Sequence, residues 1–273
     1  MMMPLAPYVG QLELPDDAVI WRFMPTDRFR DLVTSQELYF RRADLYDDET
    51  EGVPPDEYVA AVFGLNLYDI NDQQRLNDNL GHLAQFRESC YVSCWYHLQD
   101  EPLKMWERFA PEGVAVCSRY GLLKAAMDAM LDTTHLGQIR YGTGHLQGSY
   151  NTMQFITTKR AKYEDECEVR AFFNVYDPVA GGNRHFDIEN RAHPRPLPQY
   201  PIHPWVPDCK RRRIDLKALI SGFVVSPWAS EDVIEDVRIW VKATRHSCPV
   251  ERSTLATSFT PTLEELRAMP GIG

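Results

Sequence analysis

Two glutamates and an arginine alternate along one segment, at Glu166, Glu168 and Arg170. If a strand begins near residue 166, these three side chains share one face, and the intervening residues from Cys167 to Ala171 project into the core. Such a row suits a cationic transition state, because one carboxylate stabilises developing positive charge or activates water while Arg170 keeps the other ionised. A charged, solvent-facing strand face has the same alternation and is the alternative interpretation.

A second acidic group precedes this segment, in the loop that contains Asp48 and Glu51. These carboxylates could position a water molecule or a divalent cation, and with Glu166 and Glu168 they could complete a metal-dependent nuclease centre. The simpler interpretation is a turn in which Asp48 bonds to its own backbone and Gly52 supplies an unusual φ. No histidine pairs with cysteines or carboxylates at metal-ligand spacing, so no metal site is predicted from spacing alone.

The elements that must position these residues follow from the hydrophobic pattern. Short strands mix with helices without regular βαβ alternation, which predicts an α+β fold: a single domain over residues 1–273 with a central mixed or antiparallel sheet flanked by helices. The predicted strands are 19–24, 38–40, 91–95, 114–117, 139–141, 166–175 and 222–227. The predicted helices are 26–36, one or two within 58–88, 103–109, 119–131 with Leu122, Leu123, Ala126, Met127 and Met130 on one stripe, and one that Ser230 caps.

Composition sets the broad class. The chain of 273 residues is 44% hydrophobic and 25% charged, which excludes disorder, collagen and coiled coil as its main state. It has no long apolar run and no signal-peptide pattern, and its six cysteines include no C-x-x-C pair. We therefore expect a cytoplasmic protein with reduced thiols and no membrane partner. Standard phosphate-loop, dinucleotide and zinc-protease motifs are absent, so no bound cofactor is predicted.

The formal charge of −10 argues against a general nucleic-acid binder. The acidic excess, however, lies in residues 1–100, with 18 acids and 7 bases, while residues 101–273 hold 21 acids and 22 bases. The run Lys210–Arg213 ends a proline-rich loop over 181–213 that also contains Arg184, Arg191 and Arg195. This pattern predicts a basic surface for a nucleic-acid backbone, formed by Lys210, Arg211, Arg212 and Arg213. A solvated surface strand or turn is the alternative.

The order of these motifs resembles the bacterial domain-of-unknown-function family 2971 over most of the chain. In its acidic loop the family has Asn-Asp-Pro-x-Glu-Gly, where this sequence has Asp47 for the asparagine and Glu49 for the proline. The segments that carry the resemblance are Trp21–Phe23, Leu38–Phe40, Asp47–Gly52, Val92–Trp95, Met105–Phe109, Gly113, Lys159–Arg170, Ile214–Leu216 and Val225–Pro227.

The layout of a first strand with Arg22, an early helix and a late strand with Glu-x-Glu also looks like the ADP-ribosyltransferase arrangement. In that arrangement a first-strand arginine or histidine and a late-strand glutamate embrace a nicotinamide nucleotide. The resemblance implies NAD as a substrate, with Arg22 on a phosphate and Glu166 or Glu168 against the ribose. We also expect one cleft between the first strand, the acidic loop and the Glu-x-Glu strand.

Both interpretations converge on cleavage of an N-glycosidic bond through a carboxylate-stabilised sugar cation. The favoured form is a DNA glycosylase that removes a plain or modified base, and association with similar bacterial enzymes suggests a role in defence against phages. The alternatives are an NAD-dependent ADP-ribosyltransferase or NAD glycohydrolase, a metal-dependent nuclease, and a nucleotide-binding module without turnover. The residues assigned to substrate binding are Arg22, Trp95, Trp106, Lys159 and Tyr163. The two tryptophans also suit a core, where such side chains commonly pack.

Overall fold

The computed structural model describes residues 5–8, 10–46, 48, 51–144, 146, 151–175 and 207–257. Over these residues the fold is mixed α+β, as predicted, with a mixed sheet flanked by helices. The strands are β1 (Val19–Met24), β2 (Glu37–Arg42), β3 (Cys90–Tyr96), β4 (Val114–Arg119), β5 (Thr134–Gln138), β6 (Arg140–Tyr141), β7 (Thr158–Lys159), β8 (Glu168–Asn174), β9 (Cys209–Arg213), β10 (Ile220–Val225) and β11 (Val250–Arg252). The α-helices are α1 (Thr26–Ser35), α2 (Asp56–Phe63), α3 (Ile70–Ser89), α4 (Leu103–Phe109), α5 (Tyr120–Asp128), α6 (Thr152–Ile156), α7 (Leu216–Leu219) and α8 (Glu231–Ala243).

The main sheet of the described residues divides into two arms at β3. Strand β8 pairs with β3 along its whole length, from Cys90 to Tyr96. Strand β1 meets β3 only where Trp21 pairs with Tyr96, and β2 meets it only at Tyr91 and Val92. Because a strand has two edges, β1 and β2 must share the edge that β8 leaves open. We call this divergence of β1 and β2 the fork.

Each arm of the fork continues outward by further pairing. Beyond β1 lie β4, β10 and β11, and beyond β2 lies β9. On the other side of β3, β5 pairs with β8. Strands β10 and β11 run parallel, as do β6 and β7 in a small separate sheet, while the other pairs are antiparallel.

Helix α1 connects the two arms of the fork. Pro25 ends β1, since it lacks an N–H for the ladder, and the helix buries Phe29, Leu32 and Val33, which recur at helical spacing, against the core. Gln36 then adopts a left-handed conformation with φ of 59°, which ends the helix and turns the chain into β2. The sequence thus places β1 and β2 beside β3 through a connection of one short helix.

Several predicted boundaries are wrong. Helix α5 ends at Asp128 instead of residue 131, and Leu122, predicted on its buried stripe, is partly exposed because the helix rests on Tyr120, Leu123 and Met127. Strand β5 was not predicted. Part of the loop predicted over 181–213 is strand β9, which pairs with β2, while residues 176–206 lie outside the described residues.

The Ser230 cap of α8 is confirmed, because its hydroxyl accepts from the Val233 amide. None of the helices in the described ranges combines the length and the apolar character needed to cross a bilayer.

Candidate functional site

The Glu-x-Glu-x-Arg segment folds differently from the predicted continuous strand. Strand β8 begins at Glu168, whereas Glu166 ends a 3-10 helix over Ala161–Glu166. Between them Cys167 has a positive φ of 46°, which turns the chain before the ladder begins. Cys167 is half-buried at this turn, so its predicted place in the core is wrong, while Ala171 is fully buried, as predicted.

Six alternating charges nevertheless come together around this segment. We call them the charge cluster, which comprises, in order of contact, Arg108, Glu166, Lys159, Glu168, Arg170 and Glu51. The ammonium of Lys159 lies 2.6 Å from Glu166 Oε2 and 2.8 Å from Glu168 Oε2. Arg170 donates from Nε to Glu168 Oε1 at 2.7 Å, from Nη1 to the Ile156 carbonyl at 2.5 Å, and from Nη2 to Glu51.

The charge cluster is buried except for Arg108, whose side chain is 48% exposed. Glu168 and Arg170 are each 1% exposed and Glu166 is 2% exposed, so the solvent-facing interpretation of this segment is wrong. Burial raises the pKa of Glu168. Burial opposes the charge on Lys159 as well, but Glu168 and Glu166 outweigh that effect and raise the pKa of the ammonium. Buried ions at this density carry a large desolvation cost, and such groups concentrate at functional sites.

The acidic loop contributes to this region through two ion pairs. Glu51 is held by Arg170, and Asp48 lies 2.5 Å from Arg160. The predicted turn is present, since the Glu51 amide donates to the Asp48 carbonyl at 2.9 Å and Gly52 has a φ of 74°. Asp48 and Glu51 therefore join the Glu166–Arg170 segment in space, as the sequence predicts, although each faces a cation.

Tyr163 lies at the surface side of the charge cluster. Its ring is within 4.7–5.7 Å of four cationic groups, those of Arg108, Lys159, Arg160 and Lys162. A hydrogen bond from Lys162 lowers the pKa of the Tyr163 hydroxyl. A small pocket of about 180 Å³ adjoins this place, lined on its polar side by Lys159, Arg160, Thr143 and Thr158 and on its apolar side by Val53, Pro54, Leu146 and Phe155.

The two tryptophans assigned to substrate binding are core residues instead. Trp106 is fully buried against Phe23, with ring centroids 4.9 Å apart, and its indole N–H donates to Glu101. Trp95 is 1% exposed and packs within the main core. Burial of this much aromatic surface is the dominant stabilising term for such side chains, which explains why they line neither pocket.

Arg22 occupies the fork. Its guanidinium donates to the Ser93 hydroxyl at 2.8 Å and to the Tyr39 carbonyl at 3.0 Å, and it lies 5.8 Å from the Trp95 ring. These contacts of Arg22 connect β1, β2 and β3 within the gap of the fork, where no backbone pairing between these described strands is present. Burial lowers the pKa of this guanidinium. In the part of the chain that the structure describes, no carboxylate forms an ion pair with Arg22.

A cleft of about 410 Å³ opens above Arg22, and we call it the fork cleft. Its cationic lining is Arg22, Arg28 and Arg211, its acidic lining is Asp27, Asp31 and Glu37, and its remaining walls are Phe23, Met24, Pro25, Leu32, Tyr39 and Phe109. Arg28 stacks 5.2 Å from the Tyr39 ring. The volume is within the range of small-molecule sites.

The charge cluster and the fork cleft are separate. Trp21 shares its face of the sheet with Glu168, because both pair with Tyr96 on β3. Arg22, the next residue, therefore projects from the opposite face. No residue of the charge cluster lines the fork cleft. The expectation of one cleft that joins Arg22 to the Glu-x-Glu segment is wrong for this reason.

The basic run Lys210–Arg213 lies in β9, an edge strand of the main sheet. Two of its arginines form ion pairs within the protein. Arg211 pairs with Asp31 at 2.7 Å and Arg212 with Asp132 at 2.5 Å, while Lys210 lies 5.7 Å from the Tyr91 ring. Arg213 pairs in register with Glu37 of β2. Arg184, Arg191 and Arg195 lie outside the described residues.

Several residues of the charge cluster and of the fork cleft were missed in the sequence analysis. Arg108 comes from α4 and carried no signal beyond its charge, and Tyr46, whose ring lies 5.0 Å from Arg170, sits in the acidic loop region. Arg28 is spaced as an ordinary exposed helix residue. Within the described ranges, no group of three or more histidines, cysteines or carboxylates is arranged to hold a metal ion, since the cluster carboxylates face cations.

Comparison of the chain with known protein families, curated proteins and solved structures found no match. The resemblance to family 2971 stays a prediction.

Proposed function

We propose that this protein binds a phosphate-bearing nucleotide in the fork cleft. The observation that supports the proposal is Arg22, a guanidinium that has no carboxylate partner among the described residues and lies at a cleft of about 410 Å³. Arginine is suited to phosphate, because its planar donors match two phosphate oxygens at once. Charges withdrawn from water are ordinarily paired, so a half-buried cation without a carboxylate partner among the described residues points to an anion supplied by a ligand.

The rest of the lining favours a nucleotide over a bare anion. Tyr39 and Phe109 offer aromatic surface for a base, and Asp27 and Glu37 offer acceptors for ribose hydroxyls or for a cationic ring. NAD carries all of these groups and is the first dinucleotide to test. A free nucleotide fits this lining better than DNA does, because the described residues of the cleft set three arginines among three carboxylates and offer no continuous row of cations for a nucleic-acid backbone.

The experiment is calorimetric titration of the purified protein with AMP and NAD. Arg22→Met should weaken binding at least about tenfold, because it removes a charge-assisted contact. Because Arg22 also joins three strands, Arg28→Met is the second variant: its side chain is exposed, and it should weaken binding without affecting folding. Arg238→Met, an exposed arginine on α8, is the control. Unchanged affinity in both cleft variants would contradict the proposal.

Cleavage of an N-glycosidic bond is the second candidate function. The observation that favours it is the pocket of about 180 Å³ beside Lys159, which is smaller than a whole-nucleotide site and suits one ring system. Glu166 and Glu168 are paired with Lys159 and do not line this pocket, so in this reaction one of these carboxylates would have to exchange the Lys159 ammonium for the sugar cation. Incubation with duplex DNA and with NAD, scored for released base, abasic sites and nicotinamide by mass, tests it. Product formation that survives in Glu168→Gln would contradict the assignment of that carboxylate.

A further inference from the structure

Arg211 and Asp31 form an ion pair at the rim of the fork cleft. They lie 2.7 Å apart, join β9 to α1, and both line the cleft. Their side chains are 43% and 44% exposed, whereas Arg22 lies deeper, against Ser93 and the Tyr39 backbone. Of the three arginines that line the cleft, Arg22 and Arg28 form no ion pair with a carboxylate among the described residues, whereas Arg211 is bound to a carboxylate that is exposed to solvent.

Tyr39 lies between the two arginines. Arg22 donates to the Tyr39 carbonyl, and Arg211 is the cross-strand partner of Tyr39 on β9. Both guanidinium groups line the fork cleft, so each can contact a ligand bound there. Two separate arginine donors suit two linked anionic groups better than one.

From this arrangement we infer that the nucleotide carries a diphosphate, with one phosphate on Arg22 and the other on Arg211 after Arg211 leaves Asp31. The inference rests on the proposed function and adds Arg211 as the residue that distinguishes a nucleoside diphosphate from a monophosphate. Exchange of partners is favourable, because an exposed ion pair contributes little to stability and an arginine–phosphate contact is charge-assisted and bidentate. Asp31 then stays on the exposed face of α1, where water solvates it.

The test compares AMP with ADP by calorimetric titration at low salt. The wild-type protein should bind ADP at least about tenfold more tightly than AMP. Arg211→Met should lower ADP affinity to the level of AMP and leave AMP affinity unchanged. Asp31→Ala should raise ADP affinity several-fold, because it removes the competing carboxylate, and should leave AMP affinity unchanged.

Arg212→Met is the matched control, since this neighbour on β9 has its own aspartate, Asp132, and does not line the cleft. Equal affinities for AMP and ADP, or an Arg211→Met variant that changes both or neither, would overturn the diphosphate inference while Arg22-dependent AMP binding preserves the proposed function. Absence of binding of either nucleotide to the wild-type protein would overturn both.

Discussion

Arg170 on β8 donates to Glu51, which lies 119 residues earlier in the chain, and both side chains are buried. This bond fixes the acidic loop to the centre of the sheet. Glu168 shares the same guanidinium at 2.7 Å, so one arginine compensates two carboxylates that have little access to water.

Replacement of that arginine should destabilise the fold strongly. Arg170→Met leaves Glu51 and Glu168 buried without their cation, and we expect a loss of about 3–5 kcal/mol in the free energy of unfolding, measured by urea denaturation. Arg238→Met is the control, because both partners of its pair with Glu235 are exposed and the loss of that pair should leave stability nearly unchanged. Equal losses in the two variants would show that the cluster is solvated.

Glu168→Gln should separate the two sites. The amide removes a charge that Lys159 and Arg170 both face, so stability should fall, while nucleotide affinity should stay unchanged because Glu168 does not line the fork cleft. If the second candidate function is correct, the same variant should also lose roughly 2–4 kcal/mol of transition-state stabilisation. Calorimetry and urea denaturation of one preparation check the first two outcomes; a large loss of nucleotide affinity would refute the separation.

Glu88 should make stability depend on pH. Burial, with Asp44 nearby, raises the pKa of this carboxyl from 4.5 to about 7. The folded chain therefore binds a proton that the unfolded chain has released between these pH values, so stability falls as pH rises from about 4.5 to about 7. Relative to Glu88→Gln, the wild-type protein should lose roughly 3 kcal/mol over that window. Parallel stability curves for the two proteins would rule out this role for Glu88.

Gly113 should tolerate no side chain. A Cβ there would lie 2.1 Å from the Met24 carbonyl oxygen, a backbone atom at the end of β1 that cannot rotate away. Gly113→Ala should therefore lower stability by about 3 kcal/mol, the upper range for overpacking. Gly144→Ala is the comparison, because a Cβ at that position meets no atom within 4 Å. Thermal unfolding of both variants decides the matter, and a neutral Gly113→Ala would contradict the packing argument.

The sequence predicts best the elements whose signals are local. Strand β1 ends where Pro25 removes a donor, and α1 buries Phe29, Leu32 and Val33 because they recur at helical spacing. From the sequence we also expect the acidic loop beside the Glu-x-Glu segment, and the structure brings Glu51 to Arg170 and Asp48 to Arg160. The local pattern does not show whether this charged strand face is exposed to solvent or buried, because alternating charges occur on both kinds of face. Residues distant in the sequence bury it here.

The break at Cys167 and the position of Arg22 had no local signal. A left-handed φ at a cysteine is uncommon, and the bond from the Glu168 amide to the Tyr141 hydroxyl comes from a residue 27 positions away. The sequence around Arg22 is that of an ordinary strand. The surroundings of Arg22 depend on β1 and β2 pairing with the same edge of β3, and such long-range strand pairing has no local signal.

The fork also bears on how the chain folds. Arg22 and Ser93 are 71 residues apart, and β3 finds its full-length partner β8 only after β1 and β2, the first strands of both arms, have been synthesised. Pairings of such long sequence separation form slowly, because loop closure must precede any gain from contact. During refolding, helical circular dichroism should therefore recover before the cleft does, and the capacity to bind a nucleotide should be among the last properties regained.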